Sequence, residues 1–221
     1  MRLLFVLLLT ALPALAQGPE AITVLERRDI ALESIPGSPS HELRLTLAYL
    51  DGSGWQPDAI VIALQESARI LGQCGVTLKT ADLVRVAAPG RYHDFVTPTS
   101  RELAATLQLR TPTVYFVAGT RQRPAFDAEA IGRGNSRSRP ELADTVWITR
   151  GTRDLGIALA HELAHVLMDS GEHSSEPGNL MRDETAPGNT RLSAPQCSRL
   201  RESGTRNGLL RPDQDSRLRI R

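Results

Sequence analysis

Three of the five histidines in this sequence lie between residues 161 and 173, in a stretch that begins His-Glu-Leu-Ala-His. On an α-helix, with about 3.6 residues per turn, His161 and His165 lie one turn apart on the same face and can bind one cation together. Glu162 points partly to the same side, where its carboxylate can hydrogen-bond a water at the metal without being a ligand. Imidazole suits zinc, so this spacing predicts a zinc site.

The third ligand is expected from the residues that follow this helix. His173 is the predicted one, and Asp169, Glu172 and Glu176 are its rivals. Without a metal, the helical pair would be two buried histidines with ordinary hydrogen bonds. Three protein ligands leave one position for water, as in catalytic zinc sites. Zinc acidifies such a water and polarises a carbonyl, so Glu162 can take the water's proton and pass it to a leaving amine. This chemistry is metal-assisted hydrolysis, most naturally of a peptide bond.

Alternating strand and helix patterns surround these residues and predict a single α/β (α+β) domain. Leu43, Leu45, Leu47 and Tyr49 alternate with polar or small residues, which is the period of a half-buried strand. Further strand patterns lie at 76–87, 113–117 and 144–149, and further helical patterns start near residues 58, 99 and 193.

The helix that carries the histidine pair is predicted to be amphipathic, with Leu159, Leu163 and Val166 on its apolar side. Asp154 is its predicted N-cap and Gly171 its predicted end. A last short helix, capped by Ser193, is expected after it.

The first sixteen residues have the features of a cleaved secretory signal peptide. Arg2 precedes an apolar run from Leu3 to Leu12, and Ala14-Leu15-Ala16 resembles a cleavage site. A membrane anchor is the alternative, but the run is shorter than the roughly 18 residues needed to span a bilayer. The sequence therefore predicts a protein that is secreted or periplasmic.

Cys74 and Cys197 are the two cysteines of the chain. Because an exported protein enters an oxidising compartment, they are expected to form one disulfide. Two buried free thiols are the alternative.

The segment 161–181 resembles the metzincin zinc proteases, whose pattern is His-Glu-x-x-His-x-x-Gly-x-x-His followed by a methionine-containing turn. The resemblance rests on His161-Glu162-x-x-His165, on His173 and on the Asn-Leu-Met of 179–181. It implies the three histidines as zinc ligands, Glu162 as the base and Met181 in the turn beneath the metal. It also implies a twisted, mainly parallel sheet with an antiparallel edge strand that pairs with substrate, an active-site helix and a C-terminal helix.

Two departures from that pattern affect the third ligand. Met168 stands where the family has Gly, and His173 comes two positions later than the family's third histidine. A helix that continues past Met168 and turns at Gly171 would accommodate both departures.

These observations predict four segments: a signal peptide (1–16), an extended lead-in (17–42), a zinc metalloprotease-like domain (43–203) and a flexible basic tail (204–221). The Arg- and Gly-rich loop 119–142 is either a solvated surface loop or part of the active-site rim. The formal net charge of +1 gives no indication of a nucleic-acid or membrane partner, and we expect a monomer. The predicted function is a zinc-dependent endopeptidase acting on a peptide or protein; the alternative is a non-proteolytic, zinc-containing binding or inhibitory module on the same fold.

Overall fold

The computed structural model describes residues 21–33, 39–121, 128–131 and 140–213, with the backbone alone for 128–131. Nine strands occur within these residues: β1 (Thr23–Ala31), β2 (His41–Leu50), β3 (Val76–Ala87), β4 (Asp94–Phe95), β5 (Thr113–Val117), β6 (Gly119–Thr120), β7 (Ala128–Ile131), β8 (Thr145–Thr149) and β9 (Leu210–Pro212). Seven of them form one sheet in the order β1-β3-β2-β5-β8-β7, with β9 also paired to β2, while β4 and β6 form a separate parallel pair.

The sheet is mixed. Strands β3, β2, β5 and β8 run parallel to one another, whereas β1 and β7 are antiparallel to their neighbours at the two ends of the order. The α/β fold class and the mixed sheet with an antiparallel edge strand are therefore confirmed.

The central strand β2 is buried on both faces, so the prediction of a half-buried strand is wrong. Leu45 and Leu47 pack into one core cluster, and Ala48 and Leu50 pack into a second cluster on the opposite face. The reason lies in the neighbours: β2 has parallel partners on both sides, and the connections between parallel strands cover both faces of a sheet.

Four α-helices occur among the described residues and divide between these faces: α1 (Pro57–Gly72), α2 (Thr97–Leu107), α3 (Leu155–Met168) and α4 (Ala194–Arg206). Residues of α1, α3 and α4 belong to the cluster that contains Leu45. Residues of α2 belong to the cluster that contains Leu50. Three helices therefore share the face of the sheet on which the histidines lie.

Helix α3 is buried on all sides, contrary to the predicted amphipathic character. Each residue from Gly156 to Met168 is buried, including both histidines and Glu162. Helix α3 packs against α1 and α4 as well as the sheet, so no side of it faces bulk water. Polar groups in such a helix need partners, because an unpaired buried polar group costs free energy.

Two of the predicted segment boundaries differ from the structure. The lead-in contains β1, which pairs with β3 along its whole length, and β2 begins at His41. The predicted tail begins inside α4 and includes β9, which pairs with the start of β2, and Leu209 and Leu210 are buried there. Both corrections involve pairing between residues far apart in sequence, which local patterns do not report.

The predicted disulfide between Cys74 and Cys197 is present, with a Cα–Cα distance of 4.9 Å. It joins the chain just after α1 to the first turn of α4, and Arg201 of α4 donates a hydrogen bond to the Cys74 carbonyl at 2.9 Å. Across the described residues, no helix combines the length and apolar character needed to cross a bilayer. The predicted signal peptide, residues 122–127 and 132–139 of the Arg- and Gly-rich loop, and the tail after residue 213 lie outside the described residues.

Candidate metal centre

Helix α3 begins without the predicted side-chain cap. Asp154 precedes it with a left-handed backbone, φ +46°, and its carboxylate makes no capping hydrogen bond. A capping side chain needs an extended backbone at that position, so the left-handed conformation prevents Asp154 from acting as one. Ser193, in contrast, caps α4 as predicted, and Gln196 completes a capping box with it.

Helix α3 ends at Met168, so the prediction that it continues to Gly171 is wrong. Asp169 adopts the left-handed conformation, φ +52°, and the Ser170 amide donates to the His165 carbonyl at 3.1 Å. This is the helix end that a glycine usually makes, and aspartate is among the few other residues that tolerate it. The chain therefore reverses directly after the second histidine and brings His173 back to α3.

Asp169 provides a test of this helix end. Asp169→Gly is expected to leave the free energy of unfolding nearly unchanged, whereas Asp169→Val should lower it by about 1–2 kcal/mol, because a β-branched side chain at positive φ clashes with the backbone. Urea denaturation of both variants measures the difference. Equal stability of the Val and Gly variants would contradict the left-handed conformation at residue 169.

His161, His165 and His173 bring their imidazole nitrogens together. The Nε2 atom of His165 lies 2.9 Å from that of His161 and 3.2 Å from that of His173. One nitrogen from each ring lies within 4.8 Å of the other two. Two imidazoles on a tetrahedral zinc at the usual Zn–N distance would have nitrogens about 3.3 Å apart, so the spacing fits such an ion.

Hydrogen bonds to Nδ1 determine which ring nitrogen of His161 and of His165 carries the proton. The Nδ1 of His161 lies 2.8 Å from the Leu180 carbonyl, and the Nδ1 of His165 lies 2.6 Å from the Ser170 carbonyl. A carbonyl only accepts, so each Nδ1 is the donor and each neutral ring has an unprotonated Nε2. The lone pairs of these Nε2 atoms then face one another at hydrogen-bond distance. That arrangement is repulsive by itself and favourable around a shared cation.

Burial keeps the two helical imidazoles neutral. It lowers the pKa of His161, and it lowers the pKa of His165 to about 4, with the neighbouring His161 adding to the effect. Neutral imidazole is the form that ligates a metal. His173 differs, since 38% of its side chain is exposed and its Nδ1 lies 3.4 Å from the Asp183 carboxylate. The cluster is therefore closed on the α3 side and open to solvent beside His173.

The three alternatives to His173 as the third ligand, Asp169, Glu172 and Glu176, make other interactions. Glu172 pairs with Arg199 at 2.8 Å, an interaction that lowers the pKa of this exposed carboxyl, and Glu176 accepts a hydrogen bond from Asn179. Asp169 forms the helix end described above. Among the described residues, the group with metal-binding spacing consists of the three histidines.

The segment 178–181 packs against this cluster. Leu180 and Met181 are fully buried, and the Leu180 carbonyl is the one that orients His161. The Met181 carbonyl accepts a hydrogen bond from the Ser174 amide at 2.6 Å, directly after His173. Glu162 is 7% exposed, and helical geometry places it within about 60° of His165 around the α3 axis.

A solvent-open cleft of about 620 Å³ borders the exposed side of the cluster. It is lined by His173, Ser174, Ser175, Arg182, Asp183 and Glu184. The lining is polar and of mixed charge, and the third histidine of the cluster forms part of it.

The fold is similar to that of a solved metalloproteinase. The crystal structure of metalloproteinase-II from Bacteroides fragilis matches with a TM-score of 0.54 and 20% sequence identity, over 79% of this chain and 57% of that one. The chain has a metalloproteinase-like fold. It spans little more than half the length of that protein, and the low identity limits the comparison to the fold. Neither a protein-family model nor a curated protein matches the sequence.

Several groups around the candidate metal centre were not predicted from the sequence. The carbonyls of Ser170 and Leu180 orient the two helical histidines, and Asp183 lies beside the third. Backbone carbonyls have no sequence signal, because each residue has one. Asn179 belongs to the Asn-Leu-Met motif of the sequence analysis, but its hydrogen bond to Gln196 of α4 was not predicted.

Proposed function

We propose that this protein is an exported, metzincin-like, zinc-dependent endopeptidase in which His161, His165 and His173 hold the metal. The observation that supports it most directly is the set of converging Nε2 lone pairs, two of which are defined by the carbonyls on Nδ1. Three converging imidazoles on a metalloproteinase-like fold, open to solvent on one side, have the composition expected of the donor set of a catalytic zinc site.

The residues of the chain would divide the chemistry between them. A bound zinc ion supplies a Lewis acid that acidifies water and polarises the scissile carbonyl. Glu162, next to His161 on α3, takes the proton of the attacking water and returns it to the leaving amine. Glu162 is 7% exposed, so its carboxylate is largely shielded from bulk water. Met181, which is fully buried, would lie beneath the metal in the turn whose Leu180 carbonyl contacts His161.

A peptide or protein is the proposed substrate, approaching from the open side beside His173. We propose that the protein acts as a monomer, after removal of a signal peptide that ends near Ala16. The Cys74–Cys197 disulfide is compatible with export.

Replacing the third histidine tests the ligand set. His173→Ala should raise the zinc Kd by more than about 100-fold, because only two imidazoles remain. Substitutions outside the ligand shell raise it by less than that. Competition with a chromogenic chelator measures the affinity, and elemental analysis of the wild type should give one zinc per chain. His93→Ala, which removes a histidine outside the cluster, is the matched control and should bind zinc normally. Unchanged zinc affinity in His173→Ala would exclude His173 as a ligand.

The activity itself is tested with a mixed peptide library. Turnover by the pure protein should disappear on chelation and return when zinc is added. A protein that binds one zinc tightly but cleaves none of the library would instead be the non-proteolytic binding or inhibitory module.

A further inference from the structure

Two of the three histidines depend on the position of one short turn, residues 179–181, which we call the support turn. Its Leu180 carbonyl binds Nδ1 of His161 at 2.8 Å. Its Met181 carbonyl accepts from the Ser174 amide at 2.6 Å and so fixes the backbone next to His173. A shift of this turn would therefore rotate one imidazole and move another.

The support turn is held by the buried side chain of Asn179, which is 4% exposed. Its Oδ1 accepts from the Met181 amide at 2.9 Å, inside the turn. Its amide also pairs with that of Gln196 in both directions, at 3.0 Å from Asn179 Nδ2 to Gln196 Oε1 and at 3.1 Å from Gln196 Nε2 to Asn179 Oδ1. Asn179 thus connects the turn to a second element of the fold.

Gln196 is itself held rigidly. It is the third residue of α4. Its side-chain Oε1 accepts from the Ser193 backbone amide at 2.8 Å, and its backbone amide donates to the Ser193 hydroxyl. The next residue, Cys197, is covalently bridged to Cys74 after α1. The paired side-chain amides of Asn179 and Gln196 therefore link the support turn to the first turn of α4, which is restrained by both a capping box and a disulfide.

Only an amide satisfies every contact at position 179. Asn179 donates to Gln196 and also, at 3.3 Å, to Glu176, while accepting from Met181 and from Gln196. An aspartate could not donate, and it would place a charge next to the Gln196 oxygen in a buried site, which is costly. The side-chain amide of Asn179 therefore matches the donors and acceptors that surround it.

We infer that Asn179 and Gln196 are positioning residues of the metal centre, which set the orientation of His161 and the approach of His173 through the support turn. The inference rests on the proposed zinc site and extends it to residues that touch neither metal nor substrate. A purely structural role for the pair would change stability and leave the metal coordination of the folded protein unchanged.

Metal affinity and metal spectroscopy separate these roles. Asn179→Ala should raise the zinc Kd by about 10- to 100-fold, as changes outside the ligand shell do. The visible absorption spectrum of the Co²⁺-substituted variant should also differ from that of the wild type in band position or intensity. Gln196→Ala leaves the hydrogen bond between Asn179 and the Met181 amide intact. It should change the zinc Kd and the Co²⁺ spectrum in the same direction as Asn179→Ala, but by a smaller amount. Circular dichroism confirms that each variant is folded under the assay conditions.

Asn189→Ala is the matched control. Asn189 is also a buried asparagine, and its side-chain amide donates to the Glu184 carbonyl at 3.0 Å, which lies outside the support turn. Its removal should leave the zinc Kd and the Co²⁺ spectrum unchanged even where it lowers stability.

The outcomes distinguish the inference from the proposed function. If the wild type and Asn189→Ala bind zinc and Asn179→Ala binds it within twofold of them with the same Co²⁺ spectrum, the positioning role is excluded and the zinc site stands. If the wild type binds no zinc, the zinc site fails and the inference fails with it. If Asn179→Ala does not fold, Gln196→Ala decides the question by the same two readouts.

Discussion

Replacing Glu162 by Gln is expected to lower kcat/KM for peptide hydrolysis by about 100- to 10,000-fold, the range that a positioned general base contributes. Glutamine has nearly the same shape as glutamate but cannot accept the proton of the attacking water. The substitution removes no imidazole from the cluster, so zinc content should remain at one per chain. Quenched fluorescent peptides measure the rate, and elemental analysis measures the metal.

Glu172→Gln is the control for this experiment. Glu172 is a nearby carboxylate whose side chain is 79% exposed and paired with Arg199, outside the histidine cluster. Its substitution should leave kcat/KM nearly unchanged. A Glu162→Gln protein that kept wild-type activity would show that another group takes the proton, and loss of zinc in that variant would make its activity uninformative about the base.

Removal of the disulfide should have the largest effect on stability. The cysteines are 123 positions apart, and closing a loop of that length restricts the unfolded chain by about 5 kcal/mol in the chain-entropy model. The Cys74→Ser, Cys197→Ser double variant is therefore expected to unfold at much lower urea concentration than the wild type. Its zinc affinity should fall as well, because the first turn of α4 loses its covalent connection to α1.

Reductant provides the internal control for this prediction. Dithiothreitol should move the unfolding midpoint of the wild type toward that of the double variant and should not affect the variant itself. Equal midpoints for the oxidised wild type and the double variant would show that the bridge does not constrain the unfolded chain.

Local patterns were sufficient for the fold class and for the centre of the candidate site. Period-two and helical patterns predicted β2, β3, β5, β8 and all four helices in the correct order, because each element has enough residues to express its own period. The spacing of His161, Glu162 and His165 requires only that they lie on one helix, and α3 provides it.

Short and weakly patterned strands were not predicted. Strand β1 is largely exposed along its length, so it has little apolar alternation to detect, and β9 has three residues. Both exist through pairing with strands that are distant in sequence, β1 with β3 and β9 with β2. Burial of β2 on both faces also depends on these neighbours rather than on its own residues.

The sequence by itself determined the mixed α/β fold, the cysteine pair and three histidines within reach of one another. Tertiary structure decided how they meet: Asp169 rather than Gly171 reverses the chain, and this brings His173 to α3 despite its later position. It also decided the tautomers, through the Ser170 and Leu180 carbonyls. The physical reason is that helix periodicity acts over a few residues, whereas a carbonyl reaches an imidazole only when distant segments have packed together.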